Sequence, residues 1–469
     1  MRSEDPLLGA WEETLARKRD APAIFSSNGE VLGTFRQIDE RVNEFARKVD
    51  RFESGQVIAV QIGNHEDWSS VFLACLRKRL PVLPLDHTIN ETQRDAVFKT
   101  CGVVAAAFSD GRDVRIVPAK TVRAELAEAA PTQWRNNCPS LLKLTSGTTA
   151  SPRAIHFRSH QLLADCNQIC ETMGIEEVDV NFGAIPISHS YGFSNLLTPL
   201  IARGVPLVLS CDRTPRALLG DIARTNATVF PGTPAVYQAL TEMENASLPA
   251  TLRLCISAGA PLPASVGCRF RQKFGLPVHS FYGASECGGI CYDRDAQHET
   301  DGFVGQPMNG VQVAMIDADA KLGQIRVRSA AVGDGYLPEE NREKLASGVF
   351  VPDDLLTKTA HGFRIVGRVS DVINVAGKKV HPAEIEAQLR RCSGVRAAVA
   401  FGRESLLRNE EVAACVVADS TVTETGLLEF CRERLSPWQV PRRIFLLQEL
   451  PVNERGKINR RELARRFAC

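Results

Sequence analysis

Three short segments carry residue types whose spacing suits chemistry on a polyphosphate. In LLKLTSGTTASPRAIHF, residues 141–157, an apolar strand runs into a series of small and hydroxyl residues and then a cation. Hydroxyls and unhindered N–H groups at Thr145, Ser146, Gly147, Thr148 and Thr149 can donate to phosphate oxygens, while Arg153 supplies charge. The segment lacks G-x-x-x-x-G-K-[ST], so it is not a Walker loop, and a plain Ser/Thr-rich turn would look the same in isolation. In HSFYGASECGGI, residues 279–290, a strand ends at an aromatic, turns on Gly283 and presents Ser285 and Glu286. The Tyr282 ring can stack on a purine and Glu286 offers a hard oxygen to Mg²⁺. Cys287 occupies the second glycine position of G-x-S-x-G, which excludes a nucleophile elbow. In PVNERGKINRREL, residues 451–463, Lys457 beside Gly456 presents an ammonium able to meet developing negative charge; a solvated basic tail is the bland alternative.

Positioning such segments requires strands that end where the loops begin. From Val57 to about Ala400, short β-rich runs (VIAVQI, VVAAAF, VPLVLS, LRLCIS, VHSFY) alternate with stretches of helical period such as DWSSVFLACLRKR, the rhythm of an α/β fold. The fold class expected is α/β: a large N-terminal lobe of mainly parallel sheets flanked by helices, with a small antiparallel β piece after Gln312 (VQVAMI, QIRVR, FRIVGR). A smaller α+β C-terminal lobe follows, from VINVAG to RRIFLL. The boundary falls at Arg368, giving domains 1–368 and 369–469. The polar stretch Pro131 to Pro139 is a candidate separator of subdomains within the first lobe.

Composition narrows the partners. The net charge of +1 and the 24% charged share give no electrostatic bias toward nucleic acid. No run approaches the roughly 20 apolar residues of a membrane span, and the start lacks a basic region followed by an apolar stretch. The fourteen cysteines never form Cys-x-x-Cys, so reduced, packed thiols in a cytoplasmic protein are expected. That includes the pairs Cys166/Cys170 and Cys287/Cys291.

The order and separation of the three segments resemble the superfamily of acyl- and aryl-CoA synthetases, nonribosomal-peptide adenylation domains and firefly luciferase, from Val57 to Leu463. TSGTTASPRA matches T-S-G-[ST]-T-G-x-P-K-G except at Ala150, Arg153 and Ala154. Tyr282, Gly283, Ser285 and Glu286 match Y-G-x-[ST]-E, and Ser257-Ala258-Gly259-Ala260-Pro261 resembles the S-G-G-A-P adenine loop. Asp354 in GVFVPDDL stands where the family aspartate takes the ribose hydroxyls, and Arg368 in GRVSDVINVAGKK is the second ribose ligand, with Ser370 the pivot of a mobile C-terminal lobe. Gly377 corresponds to the glycine lining the pantetheine tunnel, and Lys457 to the adenylation lysine of P-x-T-x-x-G-K-x-x-R, with Asn453 in place of Thr.

The resemblance implies ATP-dependent activation of a carboxylic acid to its acyl-AMP, followed by transfer to coenzyme A. The cofactors are ATP, Mg²⁺ and coenzyme A, with Glu286 and Thr148 holding the metal. Two readings stay open beside it: a ligase delivering to an acyl-carrier protein, and a non-catalytic adenylate-binding homologue. A homodimer also stays open.

PISHSYGFSN, residues 186–195, aligns with the segment lining the acyl pocket and puts His189 near the carboxylate or thiol path, a packed histidine being the alternative. The segment has no aspartate to pair an ammonium, which disfavours α-amino acids. By the same resemblance Gly283 stands where an indole plugs the pocket of acetate-specific members, which implies room beyond two carbons, and Phe193, Phe230 and Tyr237 are candidate walls of the pocket.

Overall fold

The computed structural model describes residues 4–111, 113–119, 134, 138–145, 152–210, 214–296, 300–338, 343–375, 378–405, 409–450 and 460–467. The chain divides into two compact units, one of residues 1–314 with 326–352, the other of 315–325 with 353–469.

The first unit is built on two sheets. In one, Val82–Pro84, Val57–Gln61 and Val103–Ser109 run parallel, and Leu141–Leu144 continues the parallel run beside Val82. Antiparallel strands close both edges: Val114–Pro118 on one side, Ala154–Phe157 and then Gly335–Leu337 on the other. Their apolar runs, such as VIAV, are buried on both faces, as covered parallel strands require. In the other sheet, Pro22–Ser26, Leu207–Leu209, Asn181–Gly183, Val229–Gly232, Leu254–Ser257 and Val278–Ala284 lie side by side and parallel. Gly288–Tyr292 turns back antiparallel on the last of them.

One expectation changes here. The run from Pro131 to Pro139 does not part subdomains, because Leu141 pairs with Val82 inside one sheet, and Trp134 donates its Nε1–H to Gly55 O at 2.8 Å. The first unit also has elements ahead of Val57. The helix Pro6–Lys18 is capped by the Asp5 carboxylate, and the strand Pro22–Ser26 joins the larger sheet through Leu207–Leu209. The helix Phe35–Val49 starts with a reciprocal Thr34/Gln37 capping box.

A second-unit hairpin, Asp354–Thr359 with Gly362–Arg368, precedes the terminal α+β part. There, Lys378–Val380, Ile373–Val375, Asn409–Ala418 and Val395–Ser405 form an antiparallel sheet, to which Arg443–Leu447 adds in parallel. The helices Pro382–Leu389 and Glu424–Arg434 cover a core containing Ile373, Val380, Ile385, Leu389, Val416 and Leu427. The elements from VINVAG onward thus form as the sequence pattern predicts. No helix among the described residues is long and apolar enough to cross a membrane.

Candidate functional site

Most of the candidate segments in the first unit leave the carboxyl ends of parallel strands, where open α/β sheets bind ligands. Leu141–Leu144 leads to the candidate phosphate loop, Leu254–Ser257 into Ala258-Gly259-Ala260-Pro261, and Val278–Ala284 into the turn bearing Ser285 and Glu286. Asn181–Gly183 leads to His189. Sheet topology therefore gathers sequence-distant residues without help from the loops themselves.

The strands flanking the candidate phosphate loop pair antiparallel. Leu141–Leu144 pairs with Ala154–Phe157, and Thr145 N–H donates to Arg153 O at 2.9 Å, with the Thr145 hydroxyl on the same carbonyl at 3.3 Å. Ser146, Gly147, Thr148 and Thr149 lie outside the described residues. The Arg153 guanidinium lies over the Tyr336 ring, 4.5 Å from its centroid, and the Tyr336 hydroxyl donates to Glu286 Oε1 at 3.2 Å. Tyr336 thus brings the cation of the first segment and the carboxylate of the second to one side chain.

The Glu286 turn is pinned on several sides. Gly333 N–H donates to Glu286 O at 2.9 Å, and the Ser285 hydroxyl accepts from that of Ser190 at 3.1 Å. Tyr282 is nearly buried at the strand end, while Gly259, Ala260 and Pro261 are exposed on the neighbouring loop. A Cβ built at Gly283 would lie 2.6 Å from Gly288 O. The hairpin itself therefore demands a glycine at 283, and an indole there would report on backbone disruption rather than on pocket length.

His189 caps the short helical turn Ser190–Gly192, which passes into a π-helical segment Phe193–Leu197, a departure frequent at functional sites. Its Nε2 is 2.7 Å from Asp86 Oδ2. Asp86 Oδ1 also accepts from the Thr88 N–H and hydroxyl, and the His189 bond above all holds this carboxyl well below the usual carboxylate range. Asn64 fixes the approach by donating to Gly183 O and Ile185 O and accepting from Ile187 N–H. The proposed pocket walls are core residues instead: Phe193, Phe230 and Tyr237 are at most 1% exposed, and the Tyr237 hydroxyl is spent on Phe230 O and Ile256 O.

Beneath the site, Lys143 is buried and donates to the Ser194 hydroxyl at 3.3 Å. Ser194 in turn donates to Asp165 Oδ2 at 2.6 Å, and Asp165 Oδ1 accepts from Gly289 N–H at 3.0 Å. In the second unit, Arg368 Nε donates to Asp354 Oδ1 at 2.9 Å across the hairpin, so the two candidate ribose ligands sit together. Gly377 and Lys457 lie outside the described residues.

Sequence profiles decide the family. That of the AMP-binding enzymes matches residues 11–337, and that of the AMP-binding enzyme C-terminal domain matches residues 384–457. The chain belongs to the AMP-binding enzyme family. Among members of this family, the chain is 26% identical to a probable CoA ligase of Humulus lupulus, covering all of this chain and 97% of that one. It is 28% identical to a feruloyl-CoA synthase of an Amycolatopsis species, covering 98% and 99%. The fold superposes on ATP-bound MatB from Rhodopseudomonas palustris with a TM-score of 0.85 at 23% identity, over 98% of both chains.

Sequence reasoning missed Tyr336, Asp86, Lys143 and Asp165. One signal was available, a lysine inside the apolar strand LLKL; the others depend on partners far along the chain.

Proposed function

We propose that the protein is an AMP-forming acid–thiol ligase: it converts a carboxylic acid and ATP into acyl-AMP and pyrophosphate, then transfers the acyl group to the thiol of coenzyme A, releasing AMP. The observation that carries this reading is the clasp joining Arg153 on the phosphate-loop stem to Glu286 on the neighbouring turn, both in contact with Tyr336. A carboxylate attacking the α-phosphorus meets like charge, so cations and donors must be fixed in place before reaction. In this reading Arg153 and the Thr145–Thr149 loop hold the β- and γ-phosphates of ATP. Tyr282 with Gly283 and the Gly259-Ala260-Pro261 loop flank adenine, and Asp354 with Arg368 binds the ribose hydroxyls.

The donor set suits Mg²⁺. Glu286 offers a hard carboxylate oxygen, and among the described residues no group of three or more His, Cys, Asp or Glu could enclose an ion. An ion held by one carboxylate, the Thr148 hydroxyl and phosphate oxygens is the arrangement Mg²⁺ favours. When bound, it neutralises charge on the departing pyrophosphate. In this reading Lys457 is the cation that meets the charge between α-phosphate and carboxylate during adenylation, and Gly377 belongs to the thiol step that follows. His189, oriented by Asp86, stands on the acid and thiol path. Two carboxylates from other elements touch this segment, Asp86 at His189 and Asp165 at Ser194, and both are already engaged, the one by Thr88 as well and the other by Gly289 N–H, so the absence of an ammonium partner in PISHSYGFSN still argues against α-amino acids. A cytoplasmic location suits the free thiols found at every described cysteine, and a homodimer is compatible with this reading.

The test is pyrophosphate release across a panel of aliphatic, hydroxylated and aromatic acids, with and without coenzyme A. Acid-dependent pyrophosphate with a CoA thioester as product is the expected result. Adenylation without thioester would favour a carrier-protein acceptor, and no acid-dependent pyrophosphate would make the protein a non-catalytic homologue.

The two half-reactions need different surroundings, because acyl-AMP must first be shielded from water and then opened to a thiol. We place the domain boundary at 368/369 and the pivot at Ser370. The turn Val369–Asp371 is 3₁₀, with Val369 N–H on Asp353 O at 2.8 Å before it and the Asp371 carboxylate on Arg460 at 2.7 Å after it. Arg460 also bonds Glu386 and Ala400 O, so the far side of the pivot is tied into the terminal sheet. Proline at 370 fixes its own φ and biases Val369 away from helical values. Ser370→Pro is expected to keep single-turnover pyrophosphate release within a few-fold of wild type while cutting thioester formation strongly. The reverse pattern would keep the pivot and exchange the tolerated orientation, and wild-type rates in both steps would remove Ser370 from that role.

A further inference from the structure

We propose that Tyr336 is a positioning residue for adenylation, holding Arg153 and Glu286 in their working geometry through two different interactions of one side chain. This rests on the roles given above to Arg153 and Glu286. The ring lies under the Arg153 guanidinium, 4.5 Å from its central carbon to the ring centroid, and the hydroxyl donates to Glu286 Oε1 at 3.2 Å. A guanidinium stacked on an aromatic keeps its N–H edge available for bidentate phosphate contacts, which a lysine ammonium cannot imitate. The ring thus gives a physical reason for an arginine at 153.

The strand bearing Tyr336 is built to be rigid. Gly335–Leu337 pairs with Ala154–Phe157, so Tyr336 lies opposite Ile155, two residues beyond Arg153. Asp334 N–H donates to His156 O at 3.0 Å. The Asp334 carboxylate takes both Nε and Nη2 of Arg158 at 2.7 and 2.8 Å and Gln161 Nε2 at 2.9 Å. Gly333 N–H holds the Glu286 carbonyl at 2.9 Å. Segment 333–337 therefore grips Glu286 at backbone and side chain while supporting Arg153 from below. A residue that merely filled the core would not need contacts to both charged groups.

Phenylalanine removes the hydroxyl and keeps the ring, whereas leucine removes both, so the two contacts can be separated. The readout is acid-dependent ATP–pyrophosphate exchange, titrated separately with Mg²⁺ and with ATP, alongside thermal unfolding. Tyr336→Phe is expected to raise the Mg²⁺ concentration for half-maximal exchange about tenfold, the size of one hydrogen bond to a charged group, with the KM for ATP and the unfolding midpoint near wild type. That shift should vanish in a Glu286→Gln background, since coupled residues are not additive. Tyr336→Leu should also raise the KM for ATP, and by less when Arg153→Lys has already removed the stacked guanidinium.

If wild-type protein exchanges label but Tyr336→Phe titrates Mg²⁺ as wild type does, the positioning role is overturned while the ligase reading stands. A fall in kcat alone, with both titrations unchanged, overturns it equally. If Tyr336→Leu fails to fold, the Phe variant and its Glu286→Gln cycle still decide. Absence of exchange in wild type overturns the ligase reading, and this proposal with it.

Discussion

Lys457→Ala is expected to lose acid-dependent ATP–pyrophosphate exchange by about 10³-fold, or ~4 kcal/mol of transition-state stabilisation, while still forming thioester from supplied acyl-AMP. The reason is the timing of charge. As the carboxylate attacks, negative charge builds on the α-phosphate and between it and the nucleophile, and a flexible ammonium placed there acts on that transition state alone. In the second half-reaction a thiol displaces AMP from an anhydride already made, and the lysine has no charge to meet. Single-turnover assays of the two steps separate these outcomes. Equal loss in both steps would mean that Lys457 supports the fold or the adenylate itself. Unchanged exchange would mean that a basic tail had been mistaken for a catalytic group.

The first two segments were legible because each combines unusual composition with a strand end, and strand ends are easy to read from short apolar runs; the third was legible from its Gly456-Lys457 pair in a basic setting. VIAVQI, VVAAAF, LRLCIS and VHSFY form strands where the pattern puts them, as do the elements from VINVAG to RRIFLL. What escaped depended on partners distant in sequence. PAIFS, residues 22–26, carries no stronger signal than many loops, and becomes a strand because Leu207–Leu209 accepts it in parallel. Tyr336 in DGYLP resembles any aromatic near a turn until the pairing with Ala154–Phe157 brings it under Arg153. Phe193, Phe230 and Tyr237 were misread for the opposite reason: apolar side chains near a site can line a pocket or complete a core, and only burial separates the two.

Lys143→Met is expected to destabilise the first unit by about 3 kcal/mol, because it removes the buried ammonium that faces Asp165 across the Ser194 hydroxyl and leaves that carboxylate without a cation nearby. Lys143, Ser194 and Asp165 are each at most 5% exposed, and they come from three separate elements: a strand, the π-helical segment and the helix Ser159–Met173. Burial pushes the Lys143 ammonium down, and Asp165 is the largest influence opposing it. Methionine matches the length of lysine and fills the space between Phe157 and Phe193, so loss of packing contributes little. The cost falls on Asp165, which keeps Ser194 and Gly289 N–H as donors but no cation. A second change, Asp165→Asn, removes the stranded charge while its amide oxygen can still accept from Gly289 N–H. Lys143→Met/Asp165→Asn should therefore recover most of the lost stability in urea unfolding, although it carries one more substitution. A single variant within ~0.5 kcal/mol of wild type, the range of ordinary surface substitutions, would show that the two groups are not a charged pair. The single and double variants should also differ at the Glu286 turn, because Asp165 Oδ1 packs against Gly288 in the space a Cβ there would take. A carboxylate driven to find water would pull on the hairpin that presents Glu286. The neutral pair should leave that hairpin in place, so exchange activity should follow stability back toward wild type in the double variant.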